Sequence, residues 1–165
     1  MDSVCGWSVV LIVGVCAAVG AAEEPSRGGW WPEFHGQGRT NVSTETGLLK
    51  RWPEGGPPLL WRYSRCGRGY SGVAIAHGRI FTAGDFGDVE MILALDLHGR
   101  LLWKAPNGAA WRGPSPGSRT TPTYDDGLLY HMNPHGRLAA YEAATGKPIW
   151  VVDLKERLDA RFGVW

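Results

Sequence analysis

Metal and acid–base chemistry have few places to arise in this sequence. His131 and His135 stand four residues apart, a spacing that on a helix puts two imidazoles on one face, where they can bind zinc. Met132-Asn133-Pro134 lies between them, and proline neither donates the helical hydrogen bond nor fits against the preceding turn. The segment therefore reads as a hairpin loop. Asp85, Asp88 and Glu90, in GDFGDVE, offer the oxygen ligands that calcium takes, but they fall short of its full ligand set and read as a solvated loop. Ser43, Ser71 and Ser118 sit in no nucleophile-elbow pattern, and no glycine-rich phosphate loop follows a strand and opens a helix. Hydrolase and nucleotide-binding chemistry thus find no motif. Asn41-Val42-Ser43 fits the glycosylation sequon, a match short enough to arise by chance.

Composition narrows the elements that have to hold these residues. The chain of 165 residues carries 17 Lys and Arg against 16 Asp and Glu, so no basic surplus points to nucleic acid. Its 44% apolar and 20% charged content suits a folded chain. The 24 glycines and 11 prolines interrupt it too often for long helices. One apolar run exists, Ser8 to Ala22, ending in Gly20-Ala21-Ala22 before Glu23-Glu24-Pro25. It predicts a secretory signal peptide over residues 1–22, cut after Ala22; Asp2 and the lack of Lys or Arg ahead of the run leave a retained anchor as the alternative. The expected address is exported, periplasmic or secreted, with no stable membrane span after cleavage. Cys66 is then the one cysteine of the mature chain, and stability must come from packing.

Internal similarity organises the rest. Ser71 to Ala105 and Thr121 to Leu154 each contain a short apolar strand, a turn at Gly78 or Gly127, and a second strand (RIFTAG, LLYHMN). A third strand follows (MILALDL, RLAAYEA), then a turn at Gly99 or Gly146 and a strand carrying Trp103 or Trp150. Trp61, in PPLLWRY, reads as the closing strand of a preceding unit. The spacings Trp61–Trp103 and Trp103–Trp150 are 42 and 47 residues, and a period of roughly 40–50 residues with four short strands per unit is a propeller-blade signature. The predicted fold is all-β: a partial β-propeller of about two to three four-stranded antiparallel blades over residues 61–165. An irregular Gly/Pro/Trp-rich lead-in over residues 23–60 is expected to pack its aromatics on the first blade. Leu154 to Phe162 reads as a helical turn or two.

Ala140-Tyr141-Glu142-Ala143-Ala144-Thr145-Gly146-Lys147-Pro148-Ile149-Trp150 resembles the tryptophan-docking motif, roughly A-x-D-x-x-T-G-x-x-x-W, of the pyrroloquinoline-quinone (PQQ) type propeller repeats. Glu142 stands in place of the usual Asp. The earlier copy, Ala94 to Trp103, keeps Asp96, Gly99 and Trp103 but is one residue shorter and lacks the Thr. The family includes quinoprotein alcohol dehydrogenases and the outer-membrane assembly lipoprotein BamB, and its members are typically eight-bladed propellers. The motif's tasks are structural. Gly allows the turn, the acid accepts hydrogen bonds from turn amides, and the indole packs between neighbouring blades. Trp150→Ala is expected to cost about 3–5 kcal/mol if its ring is enclosed between sheets.

For the quinoprotein branch, the resemblance implies a PQQ cofactor at the propeller axis, a calcium site, a catalytic Asp and, in many members, a disulfide of adjacent cysteines. No adjacent cysteine pair occurs here, and no Asp matches the catalytic position. Two blades leave open edges, so the chain is expected to be the N-terminal fragment of a longer propeller or a truncated product, completed by further blades or a protein partner. Loops entering inner strands commonly rim a propeller's channel. Tyr70 and Ser71, and their counterparts Arg119 and Thr120, are therefore the candidate ligand-binding residues, with a structural ion pair or plain solvent exposure as the alternative for Arg119. Trp111-Arg112 lies in a Gly/Pro-rich loop that reads as docking on a neighbouring blade. The expected function is a non-catalytic binding or assembly scaffold with no cofactor in this chain. The alternative is the N-terminal part of a PQQ- and calcium-dependent alcohol dehydrogenase.

Overall fold

The computed structural model describes residues 29–159; the predicted signal peptide lies outside them. Apolar runs of strand length, divided by glycine turns, form two antiparallel four-stranded sheets. The first contains β1 (Ala74–Ala76), β2 (Arg79–Phe86), β3 (Val89–Asp96) and β4 (Leu101–Ala109). The second contains β5 (Thr123–Asp125), β6 (Leu128–Met132), β7 (Arg137–Glu142) and β8 (Pro148–Asp153). In each sheet the strands pair in chain order, as a meander. Left-handed turn residues close the first hairpin of each sheet: His77 and Gly78, then Asp126 and Gly127. These are two blades of a β-propeller.

The blades meet through a layer of small and large apolar side chains. Phe81, Ile92, Ala94 and Ala105 of the first sheet pack with Leu129, Ala139, Tyr141 and Ala143 of the second, with Trp103 and Tyr124 against them. Alanines on facing strands let the sheets approach, and the rings fill the space between them. Phe81 and Tyr124 stack at 6.3 Å with 10° between their planes.

The lead-in runs along the innermost strands. Trp31 exchanges two backbone hydrogen bonds with Ile75 of β1, and the Tyr124 amide of β5 donates to Pro32 O at 2.8 Å. Ile75 and Tyr124 hold equivalent places in the two blades, so successive lead-in carbonyls cover both inner edges. Only part of this segment packs as expected. Trp30 and Trp31 reach the blades, whereas Phe34 and Trp52 stay exposed. The expected strand at Trp61 is also absent, since residues 59–65 run without strand pairing. The C-terminal helical turn is α1 (Leu154–Leu158), capped by Asp153 Oδ1, which accepts from the Lys155 and Glu156 amides. Among the described residues no helix is long and apolar enough to cross a membrane.

Candidate functional site

The repeated tryptophans do one job in two places. Trp103 Nε1 donates to Ala143 O at 3.2 Å, and a Cβ added to Gly146 would lie 2.6 Å from its ring. Trp61 Nε1 donates to Leu97 O at 2.9 Å, and a Cβ added to Gly99 would again lie 2.6 Å from its ring. Each indole therefore lies flat over the glycine turn between the third and fourth strands of the blade that follows it. That seat needs glycine twice over, for the space and for φ values of 76° at Gly99 and 75° at Gly146. Trp61 makes this contact without belonging to a blade. Trp150 is the third of the series, on β8; it touches Tyr130 of its own sheet at 5.9 Å and remains 39% exposed. It is not enclosed between sheets, so the large stability cost expected for its removal does not apply.

The two turns under the indoles are built differently. Asp96 Oδ1 accepts from the His98 and Arg100 amides, each at 2.9 Å, and Oδ2 accepts from Arg100 Nε at 2.6 Å. These donors, the Arg100 amide first, hold the Asp96 carboxyl below its usual range. Glu142, one methylene longer, takes no turn amide; it accepts from the Thr145 hydroxyl, which in turn accepts from the Lys147 amide. Because the folded-state pKa of Asp96 is depressed, its contribution is present above the unfolded value and is lost as pH falls through the folded one. Asp96→Asn should thus flatten the acid limb of a stability profile below about pH 4. An unchanged limb in acid-unfolding titrations would show that the turn opens before the carboxylate protonates.

The rim candidates are brought together in part. Ser71 Oγ lies 2.8 Å from Thr120 O, to which it donates, and accepts from the Ala83 amide at 3.2 Å. Thr120 Oγ1, at the equivalent place in the second blade, donates to Met132 O at 2.5 Å. Arg119 donates to Pro114 O and Ser115 O and lies 5.8 Å over the Trp111 ring. The Tyr70 ring is 66% exposed. Two of the four side chains, Ser71 and Thr120, therefore staple loops to strands, and Arg119 is held by carbonyls and a ring of its own loop rather than by a carboxylate. The Trp111 loop docks as expected: its ring meets His135 at 5.4 Å and its amide donates to Asp85 Oδ2 at 3.0 Å.

Beneath the rim lies a polar seam that the loop readings missed. Asp85 is in β2 and Glu90 in β3, both buried, and His131 is in β6, buried, with only His135 in the turn. Of the acidic trio, Asp88 alone is solvated. His131 Nε2 lies 3.0 Å from Glu90 Oε1, joining the blades, and Asn107 Nδ2 donates to the same oxygen at 3.3 Å. Tyr141 OH lies 2.9 Å from Asn107 Oδ1 and 2.8 Å from Pro106 O, and Asn133 Nδ2 donates to Asn107 O at 2.9 Å. Burial pushes the Tyr141 phenol and the Asp85 carboxyl above their ordinary ranges. Thr120 Oγ1, His131 and Glu90 follow one another as hydroxyl, imidazole and carboxylate, with Nδ1 3.2 Å from the hydroxyl. The hydroxyl's proton is already given to Met132 O, and the imidazole and carboxylate are sealed from solvent, so the row does not form a nucleophile relay.

Among the described residues no three His, Cys, Asp or Glu side chains converge as metal ligands, and Arg119, one of the candidate ligand-binding residues, is turned onto its own loop. Cys66 is a free thiol, half-buried, and burial raises its pKa.

No curated protein matches the chain. A family model described as outer membrane protein assembly factor BamB matches residues 88–161, from the β2–β3 turn through the whole second sheet. The matched span contains Trp103 on its Gly146 turn and Trp150 beyond it, and the same seat recurs one unit earlier. Over residues 88–161 the chain is thus similar to the PQQ-like β-propeller repeat proteins.

Proposed function

We propose that the chain is an exported, non-catalytic scaffold whose second blade receives a further blade, supplied in cis or by a partner protein. The observation that carries this reading is the tryptophan series. Two indoles sit on glycine turns of the following blade, while Trp150, flanked by exposed Ile149 and Val151 on β8, has no such turn among the described residues. An apolar patch of this kind marks an interaction surface, and the two filled seats define its occupant: a glycine turn between antiparallel strands. The polar groups near the rim end on the protein's own backbone, which suits a scaffold rather than an enzyme.

The seat can be emptied to test this. Trp61→Ala uncovers the Gly99 turn, so Trp150 of a second copy should occupy it. Sedimentation should show stronger concentration-dependent association than for the unaltered chain, and association should be lost in Trp61→Ala/Trp150→Ala. Equal association of the single and double variants would rule out the docking role. Incubation with PQQ and calcium, followed by desalting, should leave no stoichiometric cofactor and no dye-linked alcohol oxidation; retention of one equivalent would favour a dehydrogenase.

A further inference from the structure

At the turn end of the inner hairpins, a cleft of about 330 Å³ is lined by Trp30, His77, Tyr124, Asp125 and Asp126. Equivalent turns of the two blades form its sides: His77-Gly78 between β1 and β2, and Asp126-Gly127 between β5 and β6. Trp30 is placed by the lead-in, whose next two residues bond to Ile75 and Tyr124. Its ring stands perpendicular to His77 (5.5 Å, 88°) and to Tyr124 (5.9 Å, 83°). The Tyr124 ring is backed by Phe81, and its hydroxyl accepts from the Gly127 amide at 3.0 Å, so this wall is fixed from behind.

The acidic side chains Asp125 and Asp126 line the cleft. Asp125 and Asp126 are exposed, and their carboxylates have no hydrogen-bond or ion-pair partner among the described residues. No Lys or Arg lines the cleft; the nearby Arg79 donates to His77 O at 3.4 Å rather than to either carboxylate. Aromatic faces attract polyatomic cations through their quadrupoles, and carboxylates add charge-assisted hydrogen bonds. A calcium or magnesium ion would want more oxygen donors than two carboxylates supply.

We propose that this cleft binds an organic cation, an alkylammonium or guanidinium head, carried by a small molecule or by a Lys or Arg side chain. The cleft shares no residue with the β8 face, so it can fail or hold independently of the docking role. The test is NMR titration of the chain from residue 23 onward with butylguanidinium, tetramethylammonium and a short arginine-containing peptide, each against sodium chloride at matched ionic strength. Saturable shifts should be confined to the Trp30 indole and the amides of residues 77 and 124–127. Asp125→Asn/Asp126→Asn, on an exposed turn, should keep the melting curve and weaken binding by about tenfold or more, as expected for lost charge-assisted contacts. Saturation by the small cations alone would identify a free ligand. Markedly tighter binding of the peptide would identify a partner's side chain. Shifts that sodium reproduces, that never saturate, or that the double variant leaves unchanged would overturn the proposal.

Discussion

Trp103→Ala should lower stability by about 3 kcal/mol, because it empties a ring-sized space in the inter-blade layer and removes the hydrogen bond to Ala143 O. In a thermal melt that is a fall of roughly 10 °C for a chain of this size. Trp150→Ala, on the half-covered member of the series, should cost about 1 kcal/mol or less in the isolated chain. The partner of Trp103 supplies an internal control. Gly146→Ala puts a methyl 2.6 Å from the indole at a φ of 75°, and should itself cost more than about 1 kcal/mol. The steric part of that cost requires the ring. In the double variant it should disappear, so the two losses should sum to more than the double variant shows. Strict additivity would mean that the indole does not rest on the turn in solution.

Glu90→Ala should destabilise by about 2–3 kcal/mol, the cost of leaving buried hydrogen-bond donors without their acceptor. It strips His131 Nε2 and Asn107 Nδ2 of a shared acceptor. Glu90 Oε2 has no partner of its own, so part of the native arrangement is already costly. Glu90→Gln keeps an oxygen acceptor for both donors while removing the charge, and should lose less than the alanine variant. Chemical denaturation reads both. If alanine and glutamine cost the same, the charge rather than the hydrogen bonding carries the pair; if neither costs more than about 1 kcal/mol, the seam is open to water.

The blade unit was legible because each of its parts obeys a local rule. Period-2 apolar runs, glycine turns and a tryptophan at the end of each unit announce four short strands. Trp61 shows where that reading stops. Its spacing marks the right seat, but spacing records what a ring reaches and not whether the chain behind it pairs. The polar seam was missed for another reason: acidic and imidazole side chains were assigned to loops by type. The phase of the strand held the answer. Glu90 shares a face with Ile92 and Ala94, and His131 with Leu129, all of them buried. Following the alternation outward from each apolar run would have put both side chains inside. That they face one another across two sheets is a tertiary fact, since they stand 41 positions apart in sequence.

Trp61 reaches the Gly99 turn from an unpaired segment, as a plug would. Among the described residues, the leading side of the first blade is thereby occupied by the chain itself, while Ile149, Trp150 and Val151 on the trailing side at β8 are exposed. Assembly built from such units has a direction. Under the proposed docking role, growth would proceed from the β8 side, and a newcomer at the opposite side would first have to evict the molecule's own indole, so the strength of that single seat would set how readily a closed object gives way to an open-ended one.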